Sequence, residues 1–460
     1  MKNYQPPKEL HPEFITTESK EQESITDHNT PPETKPVQQV KLIKATENRL
    51  DNGIPIYVID AGTQDVVKIE FIFPAGVWYP HSPLIASTAN AMLNEGTAKY
   101  TADQIAEKID NYGAFLEMNT ENDFAYISIY TLNKHLKNIL PVFEDMLKNS
   151  IFPKREFKTL VQNKKQRFIV NNEKVGFIAQ NKFNEILFGN NHPYGYNVTI
   201  NDFDKLKHKE VMLFYEKYYK RECKIIAAGK IRYNLISLLN KHFGVCDWSK
   251  NLSRAEAGKG LERKVSLPFG GGGATFIGKK DALQSAIRIG KTLFNKKHPD
   301  YMGMQVLNTV LGGYFGSRLM TNIREDKGYT YGIYSTIVSL QNAGYFFIST
   351  EAGIDVCNMA VDEIYREIKH LRNELIPGDE LQLVKNYMLG AFLRSIDGPF
   401  ALSDKFKGIM EYGLDYNYYS KLIKTIKDIT PVKLNELANK YLQQDDMCEI
   451  VVGSKGVSKK

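Results

Sequence analysis

The 460-residue sequence has no apolar run long enough to cross a bilayer, so no membrane-spanning helix is expected. Cysteine is scarce: Cys223, Cys246, Cys357 and Cys448 lie far apart and form no Cys-x-x-Cys. Such spacing excludes a disulfide framework or a cysteine zinc cage and leaves buried or idle thiols. The nine histidines are scattered too, with no two close enough in sequence to share one helical face, so no local stretch starts a metal site. Basic clusters interleaved with aromatics are missing, and the net charge of +7 is spread over a large chain, which argues against nucleic acid as a partner. The opening Met1-Lys2-Asn3-Tyr4-Gln5-Pro6-Pro7 has no apolar signal core. As written, the chain is expected in the cytoplasm; a periplasmic location requires that a signal has been removed.

What is present is ordinary globular composition, 42% hydrophobic and 25% charged, in a chain long enough for two or more domains. Residues 1–40 are polar and rich in Pro, Glu, Thr and Ser, and read as a flexible arm. Asn52-Gly53 reads as a turn between two strands. Val67 to Phe73 begins with apolar–polar alternation, as a half-buried strand does. Thr101 with Gln104 forms a capping-box signature before a helix whose apolar face carries Ile105 and Ile109. Helical patterns follow over 133–149, 154–187 and 202–218, then a strand at 224–229.

The same order then recurs. Pro153 and Pro377 each open a long helix, and the strand-ending glycines Gly229 and Gly453 stand the same 224 residues apart. Two landmarks with one offset imply a duplication. The expected fold class is α+β: two homologous domains, each a mainly antiparallel sheet covered by helices, joined by a linker. The expected boundaries are 41–249 for the first domain, 250–264 for the linker and 265–460 for the second.

Several segments in order carry a family resemblance. They are Asn52-Gly53, Phe73-Pro74-Ala75-Gly76, Met92-Leu93-Asn94-Glu95-Gly96-Thr97, His192-Pro193-Tyr194-Gly195, Leu311-Gly312-Gly313, Ser317-Arg318-Leu319, and the run from Ile323 to Tyr331. Together they resemble the pitrilysin/insulinase family of metallopeptidases, including the processing-peptidase type, over about residues 45–455. Active members carry an inverted zinc motif, H-x-x-E-H, just before the M-L-x-x-G-T segment. Two histidines at i and i+4 share one helical face and one ion, and the glutamate acts as general base. Here that window reads Ser87-Thr88-Ala89-Asn90-Ala91. Ser87 and Ala91 stand at the histidine positions and Asn90 at the base, so this degenerate motif holds no ligands. The family's third ligand, a glutamate, falls near residues 164–168, where the chain reads Lys-Lys-Gln-Arg-Phe with no acid between Glu156 and Glu173.

The resemblance implies a different role for the second half. There the family's arginine and tyrosine, seven residues apart, correspond to Arg324 and Tyr331, which would stabilise the oxyanion of a peptide carbonyl under attack. Alone, Arg324 reads as a surface residue paired with an acid and Tyr331 as a strand aromatic; their joint spacing in a matching context favours function. Gly270, Gly271, Gly272 and Gly273 sit where the processing-peptidase zinc-free subunit has a substrate-handling glycine loop, although linker flexibility explains them equally well.

The function so implied is a subunit inactive alone. It would bind a homologous H-x-x-E-H-bearing subunit as a heterodimer, act on peptides with zinc in that partner and no cofactor of its own, and need no membrane. The alternative is a catalytically inert scaffold, as relatives in respiratory complexes are.

Overall fold

The computed structural model describes residues 40–245 and 272–454. The arm and linker expected at 1–40 and 250–264 lie outside the described residues except for Val40. The first half builds a sheet from β1 (Thr46–Arg49), β2 (Pro55–Asp60), β3 (Val66–Phe73), β4 (Phe115–Thr120), β5 (Ala125–Leu132) and β6 (Lys224–Gly229), in the order β1-β2-β6-β3-β5-β4. The second uses β7 (Gly273–Gly278), β8 (Gln284–Leu293), β9 (Thr330–Ser339), β10 (Gly344–Gly353) and β11 (Cys448–Gly453), in the order β7-β11-β8-β10-β9. Apart from β1 the two orders are the same. The parallel pair also recurs, β2 with β6 and β7 with β11, while the other pairings are antiparallel. The duplication seen as a 224-residue offset is thus a repeated topology. Among the described residues no helix is long and apolar enough to cross a membrane.

Local signals set several elements. Thr101 caps α2 (Ala102–Asn111), with Gln104 returning the bond to the Thr101 backbone. The helical pattern over 154–187, however, is two helices, α4 (Lys154–Asn171) and α5 (Val175–Phe188). A turn at Asn172-Glu173-Lys174 separates them, where asparagines weaken helix propensity. The break redirects α5 onto the second sheet. Ala179, Phe183, Leu187 and Phe188 pack there with Ala286, Phe347, Cys448, Ile450 and Val452. Reciprocally, the second half's helix Gly398–Met410 lies on the first sheet, where Leu402, Phe406 and Ile409 cover Ile59, Ile72, Ile226 and Ala228. Each half therefore closes the other's core.

This exchange corrects the reading of β3. A half-buried strand was expected from its alternation, yet Lys68 and Glu70 are 3% and 2% exposed. Glu70 accepts from Ser128 Oγ at 3.1 Å and from Lys407 Nζ at 3.0 Å, with Lys68 Nζ 3.3 Å away; Lys68 reaches Asp404 at 3.1 Å. Asp404 and Lys407 belong to the exchanged helix, so polar residues that looked solvent-facing are sealed under a distant segment.

Glu411 directly follows that helix and accepts from Tyr126 Oη at 2.7 Å across the same junction. Burial pushes its carboxyl up to about 7, from an ordinary 4.5. Between those values the folded state holds a proton that the unfolded chain has released. Glu411 therefore favours folding at low pH, and this contribution is lost as pH rises through 7. Glu411→Gln keeps an acceptor for Tyr126. It is expected to stabilise the protein by on the order of 2 kcal/mol at pH 8 and little at pH 5; urea denaturation at the two pH values checks the difference.

Candidate functional site

The first candidate surface is formed by α1 (Pro83–Ala91) and α4. Leu84, Ile85, Ala86 and Ala89 bury the inner face of α1. Asn90 is buried as well, and its amide nitrogen donates to Asn119 O at 2.7 Å and Thr120 Oγ1 at 3.0 Å, tying the helix to β4. The amide thus serves as a helix-to-strand tie, and its chemistry is that of a donor rather than a base. Ser87 faces α4, where Lys164 Nζ donates to Ser87 Oγ at 3.2 Å and approaches Thr88 Oγ1 at 3.5 Å. A hydroxyl, an amide, a methyl and an ammonium do not fit a zinc ion, because none supplies the imidazole or carboxylate ligation it needs and the ammonium repels it. Among the described residues no group of three or more His, Cys, Asp or Glu side chains is arranged to hold a metal.

The second candidate surface lies at β9, the edge of the second sheet. The segment ahead of β9 is π-helical over Met320–Asp326, a form often found at functional sites. Gly328, at φ +65°, turns the chain from this segment into β9 in a conformation other residues resist. The turn places Arg324 beside Tyr331: Arg324 Nε donates to the Tyr331 carbonyl at 3.1 Å. Glu325 lies 3.7 Å from Arg324 Nη1, the weak neighbouring-acid contact expected of a surface arginine. The guanidinium also sits 4.8 Å over the Phe315 ring, itself 62% exposed. The Tyr331 side chain is 92% exposed and borders a 440 Å³ cavity with Arg288, Tyr334 and Glu351. Arg324 is thus held at Nε and partly exposed, while Tyr331 is open to solvent; a guanidinium and a phenol are the group types that can stabilise a developing oxyanion.

Phe315 was not singled out in the sequence; its signal is its place within Gly313-Tyr314-Phe315-Gly316 just ahead of the Arg324 segment. Phe315→Ala removes the platform beneath the guanidinium. It is expected to lower any Arg324-dependent turnover about three-fold, from the roughly 0.5–1 kcal/mol of an exposed cation–π contact; steady-state kinetics measures it.

Of the glycine run, the described residues Gly272 and Gly273 do not join this site. Gly270 and Gly271 lie outside the described residues. Gly273 opens β7, pairs with Cys448 and donates to Met447 O at 3.3 Å. A side chain on Gly272 would collide with the Asp445 carbonyl. Gly273 is accordingly held by its strand pairing and Gly272 by the close approach of the Asp445 backbone, contrary to a loose loop, although a side chain on Gly273 would meet open space. β7 and β9 are opposite edges of the second sheet, four strand spacings apart, roughly 19 Å. His192 is buried against Phe188 and Trp78 and accepts from Tyr194 N at 3.0 Å.

Known proteins share this organisation. A family model described as "Insulinase (Peptidase family M16)" matches residues 85–193, and one described as "Peptidase M16 inactive domain" matches residues 205–388. An uncharacterized zinc protease, YmxG of Bacillus subtilis (strain 168), is 23% identical over 406 residues, covering 86% of this chain and 95% of that protein. The crystal structure of a peptidase M16 inactive domain from Pseudomonas fluorescens aligns with a TM-score of 0.79 at 20% identity, over 90% of this chain and 100% of that one. A protease from Helicobacter pylori gives the same TM-score at 17% identity, over 90% of this chain and 100% of its own.

Proposed function

Since the chain belongs to the insulinase family, peptidase M16, we propose that it is a zinc-free subunit of a two-subunit metallopeptidase. It would supply Arg324 and Tyr331 to the H-x-x-E-H zinc site of a homologous partner. The observation that carries this reading is an asymmetry between the two candidate surfaces. Arg324 is anchored at Nε and partly exposed beside the exposed Tyr331, whereas Ser87, Asn90 and Ala91 offer no metal ligand. A partner's zinc would supply the activation of water for attack on a peptide carbonyl, and Arg324 and Tyr331 would stabilise the oxyanion with their guanidinium and phenol. Neither group has such a task in an inert scaffold. Gly273 would contribute to any substrate handling from a separate edge of the sheet, not from the Arg324–Tyr331 surface.

Native co-purification from the source cell, with mass-spectrometric identification of what stays bound, tests the assembly. A stoichiometric relative carrying H-x-x-E-H is the expected result. Recovery of the chain alone, or within a complex containing no such relative, would move the assignment to a scaffold.

A further inference from the structure

Lys164 carries a positive charge that forms no ion pair among the described residues. Its ammonium is partly buried between α4 and α1, and among the described residues its hydrogen-bond partners are the hydroxyls of Ser87 and Thr88. The sequence of α1 contains no charged residue, and α4 has no acid after Glu156. Asp204 nearby is taken by Lys165 at 2.6 Å, and Glu173 by Lys279 at 2.6 Å. Arg167, on the next turn of α4, adds a second cation and likewise forms no ion pair among the described residues. Burial, with a smaller push from Arg167, pulls the Lys164 ammonium down to about 8. A partly buried cation without an ion pair is costly to keep unless something anionic completes it.

The neighbouring elements indicate what that anion belongs to. β4 is an edge of the first sheet, and Asn90 ties its last residues, Asn119 and Thr120, to the same helix that bears Ser87. An extended peptide can add to such an edge through main-chain hydrogen bonds. The geometry points to a carboxylate-binding site at Lys164, with Ser87, Thr88 and Arg167 around it, that takes the free C-terminus of a peptide bound in extended form. Where the family's active members hold a metal cation, this chain would hold a fixed organic one and read the peptide's terminus. This role stands whether or not a zinc-bearing partner exists, because it is a binding property of the chain alone.

The test uses the full chain immobilised without any partner. Randomised decapeptide pools, identical except for a free C-terminal carboxylate or a C-terminal amide, are captured at pH 6.5 and quantified by mass spectrometry. The acid pool is expected to be retained at least about ten-fold over the amide pool, the scale of one charge-assisted contact. Lys164→Met should erase the preference and Lys164→Arg, which keeps the charge, should preserve it. Equal retention of the two pools, or a preference that survives Lys164→Met, overturns the proposal. Loss of the preference in millimolar acetate or phosphate would identify a small-anion site instead and overturn the assignment to peptide termini.

Discussion

Glu70→Ala is expected to destabilise the protein by about 3–5 kcal/mol, the cost of stripping one member from a buried charge cluster. Glu70 is 2% exposed and gathers Ser128, Lys68 and Lys407 around its carboxylate. Without it, Lys68 remains 3% exposed with only Asp404 for compensation, and Asp404 is itself largely solvated. Two cations would then face each other beneath the helix Gly398–Met410, so the loss should loosen that helix from the first sheet as well as lower global stability. Replacing both strand residues, as in Lys68→Met with Glu70→Leu, removes the uncompensated charge and should recover much of the loss. Urea denaturation of the three proteins decides the matter. A single variant within 1 kcal/mol of the parent would mean that the cluster contributes little to the clasp between the halves.

The second large effect concerns turnover. In a complex with an H-x-x-E-H-bearing relative, Arg324→Ala is expected to lower kcat about 10²–10³-fold, the range for removing an oxyanion donor. Tyr331→Phe should cost less, on the order of 10-fold to 10²-fold, because the guanidinium remains. KM should change little in both, since the contacts form with the transition state. Folding should be unaffected by Tyr331→Phe, whose hydroxyl points into solvent. If both variants turn over at the parent rate while the complex stays assembled, the two residues have no part in the chemistry.

Much of the architecture was legible because it rests on local chemistry. The capping box at Thr101 and Gln104, the Asn52-Gly53 turn and the paired strands ending at Gly229 and Gly453 are short-range signals, and each forms as read. The failures are non-local. Lys68 and Glu70 look like the wet face of β3 because the helix that covers them lies more than 330 residues away. The break after Asn171 is a weak local feature whose consequence, the transfer of α5 to the other sheet, depends on the complementary exchange by Gly398–Met410. At the candidate sites, the family resemblance suggested that Arg324 and Tyr331 act together, but not that Phe315 underlies the guanidinium or that Nε is fixed to a backbone carbonyl. The stretch 164–168 could be read as lacking a ligand. That one of its lysines reaches Ser87 required the packing of α4 on α1.

The central claim is a division of labour between two chains, and peptide hydrolysis measured with and without a partner tests it most directly. The purified chain, supplied with zinc, is compared with the same chain mixed with a co-purifying H-x-x-E-H relative, using a quenched fluorescent peptide library. The account predicts no hydrolysis by the chain alone and turnover by the pair that falls when Arg324 is replaced. Zinc-dependent hydrolysis by the isolated chain, retained in Arg324→Ala, would contradict it.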